Sequence, residues 1–215
     1  GVAPPGDAQA ALAQLYARPA GPVVVSGQEP LMGRADAPIL ITEFADFGCP
    51  HCADASADLK KLVAANPDVA VRFKYFPLSG ACNPMLAHPS QPEPDPVRCY
   101  AAFAAECAHT QGRFWDMAHQ LFTNQGAFAP SQLETYAEKI GLDLDRWHAC
   151  MADPKTAATV EASAREGEAA RISGTPAIFV QGLLPETIQI RRGVEAVLAL
   201  IEAHADGVTL PPPPG

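Results

Sequence analysis

The run Cys49-Pro50-His51-Cys52 restricts what this chain can fold into more than any other feature, because two thiols three positions apart at the mouth of a helix make a reversible disulfide. The flanks fit that placement. Ile39-Leu40-Ile41-Thr42-Glu43-Phe44-Ala45 is a short apolar, β-rich run that reads as a buried strand. From Ala53 to Ala65 the apolar residues Ala53, Ala57, Leu59, Leu62 and Val63 recur at helical spacing, with Asp54 and Asp58 early and Lys60 and Lys61 later. At a strand-to-helix junction the first cysteine meets unpaired backbone N–H groups and the positive end of the helix dipole, and both stabilise a thiolate. An imidazole at His51 adds to the same effect, so Cys49 is the expected attacking thiol.

Length and composition bound the rest. A chain of 215 residues buries a core as one domain, or as one domain with a large insertion. Hydrophobic content of 48% and charged content of 18% describe a globular protein, and no segment approaches 18 uninterrupted apolar residues, so no spanning helix is expected. A net charge of −9 argues against a nucleic-acid surface. The start at Gly1, without methionine, suggests a processed chain whose targeting segment is gone.

Six cysteines allow fifteen full pairings. Arg98 to Thr110 reads as a helix with Cys99, Phe103 and Cys107 on one face. Eight helical residues rise about 12 Å, whereas a disulfide needs Cα atoms within roughly 7 Å, so Cys99 does not pair with Cys107. With Cys49 and Cys52 assigned to each other, two arrangements remain: Cys82 with Cys99 plus Cys107 with Cys150, or the crossed alternative. The first is preferred, because Cys82 lies in the loop feeding the helix start and Cys150 ends a later helical segment able to fold back on its second half. Such structural disulfides imply an oxidising compartment.

Along the chain, Gly1 to Pro5 and Pro211 to Gly215 read as loose ends, Asp7 to Arg18 as an amphipathic helix, and Val23-Val24-Val25 as a short strand. Val69 to Phe76 alternates as a strand, and Pro84 to Pro96 is too broken for regular structure. Arg98 to Arg171 is helical with breaks near Gly112, Gly126 to Pro130, Gly141 and Pro154. Strands return at Ala177 to Val180 and Thr187 to Ile190, and a helix runs from Val194 to Ala205.

That order describes an α/β chain with a thioredoxin-like fold and an inserted α-helical domain. The expected divisions are residues 1–20 as an N-terminal segment and helix, 21–80 with 172–206 as the thioredoxin-like domain, 81–171 as loop plus insertion, and 207–215 as a disordered tail. The run Glu43 to Cys52, the distant Gly174-Thr175-Pro176 and Phe114-Trp115 in the insertion resemble the DsbA-like thiol-disulfide oxidoreductases, over about residues 30 to 205.

The resemblance implies further roles. Thr175 and Pro176 match the cis-proline loop that lies against the active-site disulfide and offers backbone groups to an extended substrate. Pro50 and His51, between Cys49 and Cys52, are expected to belong to the catalytic set with the two cysteines and Glu43. Glu43 matches the buried acid that relays a proton to and from the second cysteine, and burial without a partner should raise its pKa. Phe114, Trp115 and Met117 are expected as helical core. The implied activity is donation of the Cys49–Cys52 disulfide to folding exported proteins. No cofactor, metal or nucleic acid is implied.

A membrane partner, quinone-linked and DsbB-like or similar to vitamin K epoxide reductase, would reoxidise the pair. The implied location is periplasmic or extracytoplasmic, with a tether through a removed N-terminal segment. Thr175 before the proline also occurs in disulfide reductases and isomerases, which leaves that direction as the alternative. A metal-binding CxxC module is the non-enzyme alternative.

Overall fold

The computed structural model describes residues 6–87 and 96–214, so the expectations for Gly1 to Pro5 and for most of Pro84 to Pro96 lie outside the described residues. The chain runs through α1 (Gly6–Ala13), β1 (Tyr16–Ala17), β2 (Leu31–Met32), β3 (Ile39–Ala45), α2 (Pro50–Ala65) and β4 (Val69–Tyr75). A short 3-10 turn at Pro84–Leu86 precedes five helices: α3 (Val97–His109), α4 (Phe114–Thr123), α5 (Pro130–Lys139), α6 (Leu144–Ala152) and α7 (Pro154–Ala169). The chain closes with β5 (Ala177–Gln181), β6 (Ile188–Ile190) and α8 (Val194–Ala205).

The strands form one sheet in the order β1-β6-β5-β3-β4-β2. Its centre is β3, parallel to β4 and antiparallel to β5, and the register sets Glu43 opposite Phe73 on one side and Ile178 on the other. Because strand side chains alternate in direction, Ile41, Glu43 and Ala45 share one face and Thr42 and Phe44 the other. On the first face Ile39 and Ile41 pack with Ala55, Leu59 and Leu62 of α2 and with Val197 and Leu200 of α8. On the second, Phe44 and Phe179 pack with Ala164, Ala170 and Ile172 at the end of α7. Being buried on both faces explains why β3 reads as a continuous apolar run rather than an alternating one.

The helical block breaks where the glycines allow it: Gly112, Gly126 and Gly141 all take positive φ, the left-handed conformation that ends a helix. Its core joins the motif's own surroundings, since Phe114, Met117 and Leu121 of α4 belong to one apolar cluster with Phe47, Cys49, Cys52 and Phe73. Cys82 is bonded to Cys99 and Cys107 to Cys150, the first of the two arrangements left open by spacing.

Three local expectations differ from the structure. The helix read over Asp7 to Arg18 stops at Ala13, and Tyr16–Ala17 instead pairs with Gln189–Ile190 at the sheet edge. Pro19 biases Arg18 away from helical backbone, and the strand partner lies far beyond any local pattern. Val23 to Val25 forms no strand, and Val24 is exposed, because Leu31–Met32 takes the open edge of β4. The tail after Gly207 is docked through Pro214: Leu210 is buried, the Tyr16 hydroxyl donates to the Pro211 carbonyl, and the Gln9 amide donates to Thr209 O at 2.8 Å.

Candidate active site

α2 begins one residue after Cys49, which stands as its N-cap in extended backbone (φ −87°, ψ 119°) with no side-chain capping bond. Pro50 fits the first helical position because the N–H it lacks would have no intrahelical partner there. The Cys49 carbonyl accepts the first helical bonds, from Cys52 N at 3.1 Å and Ala53 N at 3.3 Å. Both motif cysteines are free thiols in this structure.

Their environments differ. Cys49 keeps 8% exposure and its Sγ lies 3.5 Å from the carbonyl oxygen of Thr175, to which it donates. Cys52 is fully buried, and burial pushes its thiol well above the ordinary range. One sulfur is thus presented and the other held protonated beneath it.

The Thr175–Pro176 bond is cis, and this loop enters β5 beside the carboxyl end of β3, where it meets Cys49. Two shallow hollows flank Pro176. One, of about 370 Å³, includes His51, Asp54, Ile178 and Arg192; the other, of about 550 Å³, includes Ala17, Ser173, Gly174 and Gln189. His51 lines the first hollow, and both it and Pro50 are exposed.

Glu43 sits beneath, on the strand that delivers the motif. It is 1% exposed, its Oε1 has no hydrogen-bond partner, and burial pushes its carboxyl up to about 8. A carboxyl in that state exchanges a proton near neutral pH. Phe114 and Met117 are buried core, while Trp115 is partly exposed and donates its indole N–H to Leu31 O at 2.8 Å.

Three residues that sequence reasoning passed over hold the segment before Cys49. Asp46 is buried; its Oδ1 accepts from Gly48 N at 2.7 Å and from the Arg98 guanidinium, and its Oδ2 accepts from Leu78 N at 2.7 Å. Burial still keeps its carboxyl above the ordinary value, against the pull of Leu78 N–H and Arg98. Gln125, in the turn after α4, donates from Nε2 to Phe47 O and to Cys49 O, each at 2.8 Å. The Phe47 ring stacks on Phe73 at 5.3 Å and packs against Phe122 at 4.9 Å. Asp46 followed two residues later by Gly48 is a legible Asx-turn signal. Arg98 and Gln125 leave no local trace, because their partners lie far off in sequence.

Among the described residues no group of three or more His, Cys, Asp or Glu side chains converges as a metal cage requires.

Comparison with known proteins agrees with this geometry. The family model described as thioredoxin matches residues 25–203. A thioredoxin-like oxidoreductase from Silicibacter pomeroyi superposes with a TM-score of 0.65 at 21% identity, covering 85% of this chain and 94% of that one. BdbD from Bacillus subtilis gives 0.65 at 20% identity over 90% and 97%, and DsbA2 from Pseudomonas aeruginosa 0.62 at 22% over 82% and 93%. Among curated sequences, a protein named Na(+)/H(+) antiporter NhaA 3 from Salinispora tropica is 33% identical over 150 residues, 70% of this chain and 21% of that protein. The chain therefore spans about a fifth of the length of the curated relatives it matches.

Proposed function

The chain belongs to the thioredoxin family and has the fold of its DsbA-like members, and from that premise we propose that it is a thiol-disulfide oxidoreductase that donates the Cys49–Cys52 disulfide to folding exported proteins. The observation that carries this reading is the asymmetry of the pair: Cys49 at a helix N-terminus against the Thr175 carbonyl, and Cys52 buried behind it.

In the oxidised protein a substrate thiolate attacks Cys49 Sγ. The Cys49–Cys52 bond breaks, Cys52 takes the electron pair and a proton, and a mixed disulfide forms. Glu43, protonated in good part at neutral pH, is the proposed source of that proton. A second substrate thiolate then attacks the substrate sulfur and releases Cys49 as a thiolate, which the N-terminus of α2 favours. Two electrons pass from the substrate dithiol to the motif. The high proton affinity of the Cys52 thiol slows its return attack on the mixed disulfide, and this supports transfer onward. The backbone of Thr175, with Pro176, is the proposed rest for an extended substrate segment, and Pro50 and His51 complete its rim.

Recycling requires a membrane oxidant, quinone-linked and DsbB-like or similar to vitamin K epoxide reductase. The proposed location is outside the cytoplasm, and the structural bonds Cys82–Cys99 and Cys107–Cys150, which persist in an oxidising compartment, support that reading. Among the described residues no helix is long and apolar enough to cross a membrane.

The test is a trap. Cys52→Ser should accumulate covalent partners in a thiol-rich periplasmic extract and Cys49→Ser none; equal trapping by both would refute the order of attack. Equilibration with glutathione fixes direction, since an oxidant stays reduced in mild buffer, whereas a disulfide that persists there would mark the reductase direction.

A further inference from the structure

We propose that Gln125 is a positioning residue that ties the reactivity of Cys49 to the helical insertion, an inference that rests on the exchange function proposed above. The Phe47–Gly48 peptide unit is gripped at both ends. Its carbonyl accepts from Gln125 Nε2, and its N–H donates to Asp46, itself bound by Arg98 at the start of α3. The other Gln125 amide hydrogen goes to the carbonyl of Cys49 itself, which already accepts from Cys52 N and Ala53 N. One side chain thus sets the orientation of the two carbonyls that bracket Gly48 and the nucleophile, and both bonds measure 2.8 Å.

These carbonyl oxygens carry partial negative charge on the backbone that flanks Cys49, whose sulfur becomes an anion. Left to themselves they repel a thiolate; an amide N–H on each offsets that repulsion and keeps the carbonyl dipoles fixed. The offset matters more when Cys49 is an anion than when it is bonded to Cys52. Gln125 therefore favours the reduced thiolate over the disulfide, and a bond of equal strength in both forms would do nothing of the kind.

The experiment compares wild type with Gln125→Met, which keeps the length and removes the donors. The control is Asn124→Ala, which removes the Asn124 Nδ2 bond to Gln120 O at the end of α4 without touching the motif. Three quantities are read: the rate of Cys49 alkylation by iodoacetamide across pH, the equilibrium with reduced and oxidised glutathione, and the melting temperature of both redox forms.

In Gln125→Met the alkylation rate at about pH 6 should fall roughly three- to tenfold, and the glutathione equilibrium should move by a similar factor toward the disulfide. Asn124→Ala should lower the melting temperature while leaving both ratios within about twofold. Equal loss of melting temperature in both redox forms of Gln125→Met, with alkylation unchanged, overturns the proposal and leaves Gln125 as ordinary packing. Should Gln125→Met fail to fold, Gln125→Glu is read in the same way: a carboxylate against the two carbonyls must slow alkylation further than tenfold, and an unchanged rate overturns the proposal equally. A wild-type protein that does not exchange with glutathione at all refutes the function proposed above, while the alkylation ratio still decides the role of Gln125.

Discussion

Replacing Glu43 by glutamine removes a carboxyl that burial holds far from its solution behaviour, and the consequence can be worked out with its sign. A carboxyl moved by burial from 4.5 to about 8 corresponds to about 5 kcal/mol between its two protonation states. Below pH 4.5 Glu43 is protonated in both folded and unfolded chains and carries no penalty. Between pH 4.5 and about 8 the unfolded chain releases the proton and the folded chain keeps it, so stability falls as pH rises, by up to about 1.4 kcal/mol per pH unit. Above that window the loss is complete. Glu43→Gln does not titrate, so it should match wild type within about 1 kcal/mol near pH 4.5 and exceed it by as much as 5 kcal/mol near pH 9, less whatever water entry relieves.

The assay is urea denaturation of the oxidised forms across that range; with Cys49 and Cys52 bonded, neither thiol titrates. Asp46 and every other carboxylate cancel in the difference between the two proteins. A difference that stays flat with pH would refute the reasoning, because it would mean that Glu43 is solvated or paired in the folded chain.

Two further outcomes follow from the packing. Removing the Cys107–Cys150 bond by double alanine substitution should cost about 4 kcal/mol for its 43-residue loop, and removing Cys82–Cys99 about 3 kcal/mol for its 17-residue loop; denaturant midpoints that reverse this order would contradict the loop-entropy account. Gly48→Ala places a Cβ 2.8 Å from the Arg98 guanidinium, the far end of a flexible side chain, which must shift against Asp46, so a loss of up to about 1 kcal/mol is expected. The same substitution in an Arg98→Ala background should cost markedly less, and strict additivity in the double-mutant cycle would show that Arg98 is not what Gly48 accommodates.

The features that could be read in advance are those whose cause is local. β3, α2 and the motif between them announce themselves through apolar runs, helical spacing and the cysteines, and the helix ends through glycines that take positive φ. The assignment to a thioredoxin-like fold followed from element order and holds against the family match. The elements that escaped are those decided by distant partners. Tyr16–Ala17 becomes a strand only because β6 lies open beside it, and Leu210 is buried only because the chain returns over the same edge. Within the site, Asp46 was open to view through its turn, while Arg98 and Gln125 were not: an arginine at a helix start and a glutamine in a turn are common surface residues until the fold brings a buried carboxylate or two backbone carbonyls within reach.

The grip of Arg98 and Gln125 on the segment before Cys49 bears on protein engineering. Grafting Cys-Pro-His-Cys onto a small thioredoxin scaffold would transplant the sulfurs and leave behind the donors that surround them, which arise from a different stretch of chain. Chimeras that exchange the tetrapeptide together with α3 and the α4–α5 turn are the constructions in which chemical behaviour should travel with the graft.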